Sequence, residues 1–217
     1  MMNESRRIIF FGTGAQFSLT VLRHLVELGV RPCAVVVSEY PAADSMPVLG
    51  NIDIGIESKK TLAKIAEALE IPLLFAPGRN HKSLAVKLKS YAPDFILVAC
   101  WPYLLSEEIC ATASKAALNL HPSLLPNYRG ANPVEAQLQS GEKQLGVSLH
   151  LLSQVFDSGD IVGQYRIEAG GKTLTVEDLE KQAAHAGVKL FIDALNTYGS
   201  SQWQPYKQTD SESGSAF

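Results

Sequence analysis

Up to residue 121, short apolar runs alternate with stretches of helical period, and this alternation constrains the fold more tightly than any other feature of the chain. The runs are RIIFFG (7–12), PCAVVVS (32–38), IPLLFAP (71–77), DFILVAC (94–100) and AALNLH (116–121). A strand with one wet face alternates apolar and polar residues. Runs this continuous predict strands covered on both faces, as in a parallel sheet. Between them, residues 17–28 place Phe17, Val21, Leu22, Leu25, Val26 and Leu28 on one helical face. Residues 58–70 repeat the spacing with Leu62, Ile65, Ala66 and Leu69, and Ser58 is the expected N-cap. Residues 82–91 and 133–140 predict shorter helices. The βαβα order predicts an α/β fold built on an open, doubly wound sheet.

After Gly141 the period changes. LGVSLHLL (145–152) and DIVGQYRIEA (160–169) leave no room for a helix between them. They are expected to add antiparallel at one edge of the sheet, joined by the turn-like SQVFDSG (153–159). A last helix over 175–198 turns Val176, Leu179, Ala183, Val188, Phe191, Ile192 and Leu195 back onto the body. QTDSESGSAF (208–217) is polar and rich in small residues, and reads as a flexible tail. No internal repeat is present, so residues 1–207 read as one domain. The expected whole is a doubly wound, mostly parallel, Rossmann-like sheet with antiparallel edge strands.

Composition excludes several classes of function. Hydrophobic residues make up 46% and charged residues 19%, the balance of a packed globular protein. Nothing approaches the roughly 18 consecutive apolar residues of a membrane span. The N-terminal apolar stretch is too short for a signal peptide, so no membrane partner and a cytoplasmic location are expected. A net charge of −3 gives no general attraction for nucleic acid or anionic lipid. Cys33, Cys100 and Cys110 are odd in number and widely spaced, which points to a reducing compartment and no disulfide framework. The five histidines show no ligand spacing, so no metal is expected.

Three stretches carry candidate chemistry. FFGTGAQF (10–17) sets Gly12 and Gly14 between a strand and a helix, the beginning of a dinucleotide fingerprint. Phe17 stands where the third glycine belongs, and Ser38 rather than an acidic residue closes the second strand. A tight strand-to-helix turn with no cofactor is the better reading, and such a turn can still lie near bound ligand. NLHPSLLPNYRG (119–130) puts Asn119 and His121 on the same side of a strand, at the end where ligands bind in such sheets. Pro122 keeps His121 extended and Pro126 stiffens the chain beyond it. An amide and an imidazole aimed at one point suit oxyanion stabilisation or proton transfer. FDSGD adds Asp157 on a turn, where a carboxylate can fix the imidazole tautomer and raise its pKa. The spacing alone does not show that Asp157 meets His121.

NLHPSLLPNYRGANP, followed by GVSLHLL and FDSGDIV, resembles the folate-dependent formyltransferase family. Methionyl-tRNA, glycinamide ribonucleotide and sugar-nucleotide formyltransferases belong to it. The likeness runs from about residue 7 to 200 and implies the formyltransferase fold. It also implies Asn119, His121 and Asp157 as the catalytic set, with 10-formyltetrahydrofolate as co-substrate and no metal. In that chemistry an amine attacks the formyl carbon. The resemblance assigns a cationic His121 and the Asn119 amide to the oxyanion, and Asp157 to orienting His121 and removing the amine's proton. It sets the pterin against VACWPYLL (98–105) and the Asp157 turn, giving Cys100, Trp101, Pro102, Tyr103, Leu104 and Asp157 as the folate site. His150, between Leu149 and Leu151, is expected to be structural.

Relatives acting on initiator tRNA carry a basic loop after the second strand and a further C-terminal barrel domain. This sequence has no Lys or Arg from Pro32 to Ser58 and ends at Phe217, which argues against a nucleic-acid partner. The glycinamide ribonucleotide enzymes hold the substrate phosphate with a Gly-Ser-Asn-rich loop that GTGAQF lacks. The turn at Gly12 and Gly14 can still meet an anion on the substrate. By elimination the expected acceptor is a small or sugar-linked amine, met by Arg129 and Asn132. Two alternatives stand beside it: hydrolysis of formyltetrahydrofolate by water in the same site, and a non-catalytic folate- or nucleotide-binding module. The intact Asn–His–Asp set speaks against the second. Sugar-acting relatives are often dimers, so a homodimer fits the resemblance.

Overall fold

The computed structural model describes residues 6–38, 56–76, 81–142, 144–168 and 174–209. The elements run β1 (Ile8–Gly12), α1 (Gln16–Glu27), β2 (Ala34–Ser38), α2 (Ile56–Ala68), β3 (Leu73–Ala76), α3 (His81–Lys89) and β4 (Phe95–Ala99). Next come α4 (Glu107–Cys110), β5 (Ala116–His121), α5 (Pro133–Gln139), β6 (Gln144–Leu151), β7 (Ile161–Glu168) and α6 (Val176–Thr197). The strands form one sheet in the order β3-β2-β1-β4-β5-β6-β7. Strands β1 to β5 are parallel, and β6 and β7 add antiparallel at one edge.

The apolar runs are continuous because both sheet faces are covered. Ile8, Phe10, Val35, Val37, Phe95 and Leu97 pack in one cluster with Phe17, Leu22 and Leu25 of α1 and Leu179, Ala183 and Phe191 of α6. The intervening Ile9, Phe11, Val36, Ile96 and Val98 pack with Leu84 and Leu88 of α3, Leu105, and Ile109 of α4. Each such side chain contributes roughly 1.5–3 kcal/mol on full burial, so the two layers fix the strand register tightly.

Local boundaries differ from expectation in three places. Helix α2 already includes Ile56, so Ser58 lies within the helix and is not its cap. Helix α4 is an addition, because four residues are too few to show a period; Ser106 accepts a hydrogen bond from Ile109 N and starts it. Residues 206–208 are bound to the body: Tyr206 and Ile161 exchange backbone hydrogen bonds of 2.8 and 3.0 Å. Residues 210–217, the rest of the expected tail, lie outside the described residues.

The topology places the site. The chain steps outward from β1 through β2 to β3, then returns to the other side of β1 to lay down β4 and β5. The connections leave the sheet in opposite directions there, opening a crevice at the carboxyl ends of β1 and β4.

Candidate active site

A cleft of about 150 Å³ opens at that crevice. Ala15 lines it after β1, Cys100 to Pro102 after β4, Asn119 and His121 from β5, and Asp157 from the β6–β7 turn. Asn119 and His121 share a side of β5, as the strand period requires. The same antiparallel edge that closes the sheet brings the Asp157 turn across to them.

Asp157 joins the cluster through both carboxylate oxygens. Its Oδ1 accepts from Asn119 Nδ2 at 3.3 Å, and its Oδ2 accepts from Gly130 N at 2.9 Å. His121 Nδ1 lies 3.5 Å from Oδ2, while Nε2 lies 2.8 Å from the carbonyl of Tyr128. A carbonyl only accepts, so Nε2 carries a proton and Nδ1 is the ring position open to a second one. His150, expected to be structural, also belongs to the cluster. Its Nδ1 is 2.8 Å from Leu151 O, which fixes the proton there and leaves Nε2 to accept from Asn119 Nδ2 at 3.0 Å. Both amide hydrogens of Asn119 are thus directed, one to Asp157 and one to His150. His150 gave no sequence signal, because a histidine in an apolar strand reads as core.

The charges follow from burial and pairing. Burial pushes the His121 pKa down; the Asp157 charge and the Tyr128 carbonyl raise it but do not overcome burial. This corrects the expectation of a raised imidazole: the resting ring is neutral at pH 7. Burial tends to raise Asp157, but the charge that His121 carries once acid protonates it, the His150 ring 3.5 Å from Oδ1 and the Gly130 N–H outweigh it and hold the carboxyl below the usual carboxylate range. These directions make the fold acid-sensitive. Keeping His121 neutral stabilises the fold fully above about pH 6.5, and that stability is lost as pH falls through its lowered folded value. His185, lowered by burial and by the nearby His24, acts in the same window. The Asp157 contribution is complete above about pH 3.9 and is lost below it. Thermal midpoints are therefore expected to be level from pH 8 to 7 and to fall in two stages below about 6.5 and 3.9.

The backbone around the cluster is held in place by buried polar side chains. Ser148 donates to Ser123 O at 2.6 Å and accepts from Leu125 N, while Gln137 bridges Pro122 O and Gly146 N. Cys100, Tyr128, Asn132 and Asp157 all take left-handed φ values between 52° and 58°. Such residues cost on the order of 1–3 kcal/mol each and gather where the surrounding structure holds a functional geometry. Gly159 is needed for a different reason: a Cβ there would collide with Leu151 O. Gly159→Ala is expected to lower stability by about 1–3 kcal/mol and to shift the Asp157 turn, which denaturant melts and folate-analogue titration would both register.

The other expected site residues divide. Trp101, Tyr103 and Leu104 line a second cavity of about 40 Å³, while Cys100 and Pro102 line the larger one. The two cavities share Trp101, Asn119, Phe156 and Asp157. Trp101 also packs edge-on against Phe11, with ring centroids 5.2 Å apart. Asn132 lines the larger cavity from the start of α5. Gly12 and Gly14 do not line it; Ala15 does. A Cβ on Gly12 would strike Ser18 Oγ and the Phe10 ring, so that glycine serves strand–helix packing. Arg129 is also absent from the lining, and its guanidinium forks onto Gln208 Oε1 at 3.1 and 2.7 Å. Among the described residues no group of three His, Cys, Asp or Glu side chains is placed to hold a metal ion, and no helix is long and apolar enough to cross a membrane.

The profile of the formyl transferase family matches residues 6–195. The chain belongs to that family. Methionyl-tRNA formyltransferase of Thermotoga maritima is 30% identical over 190 residues, which are 87% of this chain and 57% of that protein. Glycinamide ribonucleotide transformylase 1 of Symbiobacterium toebii superposes with a TM-score of 0.66 at 20% identity, over 95% of this chain and 96% of that one. A sugar 3N-formyl transferase, WlaRD, solved in the presence of dTDP and 5-N-formyl-THF, gives 0.61 at 16% identity over 96% and 68%. At these identities the two superpositions speak for the fold. The chain spans less than two thirds of the methionyl-tRNA formyltransferase it matches. Its last residue therefore says nothing against tRNA, and that part of the case for a small acceptor falls away.

Proposed function

We propose that this protein moves a formyl group from 10-formyltetrahydrofolate to an amine. The observation that carries the reading is the meeting of Asn119, His121 and Asp157 where the two cavities join. On this reading the pterin end of the folate is assigned to the side of the cleft beside Trp101, Tyr103 and Leu104, and the acceptor to the larger cavity. The formyl carbon then lies at the shared wall. The amine nitrogen bonds to that carbon, the carbonyl becomes an oxyanion, and the intermediate collapses by breaking the bond to the folate nitrogen. His121 takes the amine's proton on Nδ1 and passes it to the leaving nitrogen. As a cation it has an acceptor at each ring nitrogen, Asp157 and Tyr128 O. The Asn119 amide is the donor nearest the oxyanion, and one of its two hydrogens must turn from Asp157 or His150 to reach it. Because His121 must start neutral, activity should persist below about pH 6.5 and fall only as pH drops through the lowered folded value of His121.

For the acceptor, a small or sugar-linked amine is our reading. Glu135 and Glu180 line the larger cavity with Asp157, and no Lys or Arg lines it among the described residues. Burial, then the Glu135 and Glu177 charges, raise the Glu180 pKa, as expected of carboxylates crowded together. A phosphate next to the reacting amine would be repelled there, whereas a second amine or hydroxyl would be welcome. Methionyl-tRNA is the second reading, favoured by the Thermotoga maritima relative. Labelled 10-formyltetrahydrofolate, offered with amino sugars, glycinamide ribonucleotide and methionyl-tRNA in parallel, separates the cases. Label on an amino sugar supports our reading. Label on methionyl-tRNA or glycinamide ribonucleotide alone overturns it, and free formate alone indicates a hydrolase.

A further inference from the structure

Gln208 binds the two loops that flank His121. Its Nε2 donates to Asp157 O and to Gly159 O, both at 2.8 Å, and so closes the turn that carries the carboxylate. Its Oε1 accepts from Arg129 Nε and Nη2, one residue beyond the Tyr128 carbonyl that holds His121 Nε2. All four contacts come from one primary amide, and only an amide offers donor and acceptor in that arrangement. The segment itself is registered to the sheet edge: Tyr206 is bridged to Ile161, Tyr206 Oη donates to Gln164 Oε1 at 3.2 Å, and Lys207 pairs with Asp160 at 2.9 Å. Gln164 in turn holds Leu125 O, in the same loop as Arg129.

We infer that Gln208 is a positioning residue for formyl transfer, holding the Asp157 turn and the Arg129 loop at the separation that seats His121 between Asp157 and Tyr128 O. The inference rests on the proposed function for its kinetic consequence but not for its structural one. With the amide gone, the turn keeps Gly130 N on Asp157 Oδ2 but loses its outer tie, so Asp157 shifts relative to His121. Supporting residues of this kind typically contribute roughly 10- to 100-fold to the function of the groups they orient.

Three full-length variants test it: Gln208→Ala, Gln208→Glu and Arg129→Ala. Gln208→Glu keeps a partner for Arg129 but turns a carboxylate oxygen on the carbonyls of Asp157 and Gly159. Two readouts are taken on protein shown to be folded by circular dichroism. One is kcat and KM for transfer to the best acceptor found; the other is the His121 imidazole titration followed by NMR on ring-labelled protein. Gln208→Ala and Gln208→Glu are expected to lower kcat about tenfold or more, with KM changing less, and Gln208→Ala to move the His121 midpoint further down as the Asp157 charge that raises it shifts away. Arg129→Ala, which cuts one side of the tie, is expected to fall between them and wild type. A merely structural role would lower the melting temperature and leave both readouts in place; that result overturns the inference. If the wild type transfers to no amine, the functional proposal fails, and the NMR titration still decides the role of Gln208.

Discussion

His121→Ala is expected to lower kcat/KM for formyl transfer by roughly 100- to 10,000-fold while the protein remains folded. The ring is the group in the cleft placed to take a proton at neutral pH: Nε2 is committed to Tyr128 O, Nδ1 faces Asp157, and burial keeps the resting form neutral. The fold tolerates its loss because Asp157 retains donors on both oxygens, from Asn119 and Gly130. The variant should also lose much of the first stage of acid destabilisation, since the group responsible is gone. Steady-state kinetics with thermal melts at pH 7 and pH 5.5 check both effects. Full activity in a folded variant would remove His121 from the mechanism.

Asp157→Asn comes second, with an expected loss of roughly 100- to 1,000-fold. Each carboxylate oxygen now receives an N–H, from Asn119 on one side and Gly130 on the other. An amide offers one acceptor and one donor, so one of those N–H groups must face an NH2, a mismatch costing about 1–3 kcal/mol. The variant also removes the charge that stabilises the His121 cation formed during transfer. The loss should appear in kcat more than in the KM for folate, and the pH profile should lose its dependence on the Asp–His pair. A variant with unchanged kcat and a raised KM would instead assign Asp157 to folate binding alone.

The fold is legible in the sequence wherever burial leaves a pattern. Continuous apolar runs mark strands covered twice, and the loss of helical spacing after Gly141 marks the antiparallel edge. Asn119 and His121 are legible because an N-x-H pair on a strand projects to one side. Three things are not. His150 hides among leucines, since residue type and period do not distinguish a buried ligand of an amide from core. Gln208 lies 51 residues from Asp157 in a polar stretch whose composition suggests mobility; its order comes from hydrogen bonds to distant carbonyls, which no local rule records. The protonation of His121 has the opposite sign to the sequence-based expectation, because sequence shows the partner charge but not the depth of burial that outweighs it.

Gly12 has a packing role that the motif does not reveal. A glycine-rich strand-to-helix turn suggests a ligand, yet Gly12 is fixed by Ser18 and Phe10, and the cleft begins only at Ala15. Arg129, expected to meet the acceptor, is likewise held by Gln208. In both cases the packing partner is close in space and unreadable from the motif itself.

The central claim is that the Asn119–His121–Asp157 cluster and the adjoining Trp101 cavity form a folate site. Isothermal titration with 5-formyltetrahydrofolate, a stable stand-in for the reactive co-substrate, tests it most directly, beside Asp157→Ala as control. One saturable site in the wild type, weakened at least tenfold in the control, is the predicted result. Folded wild-type protein with no measurable heat of binding and no change in tryptophan fluorescence would contradict it.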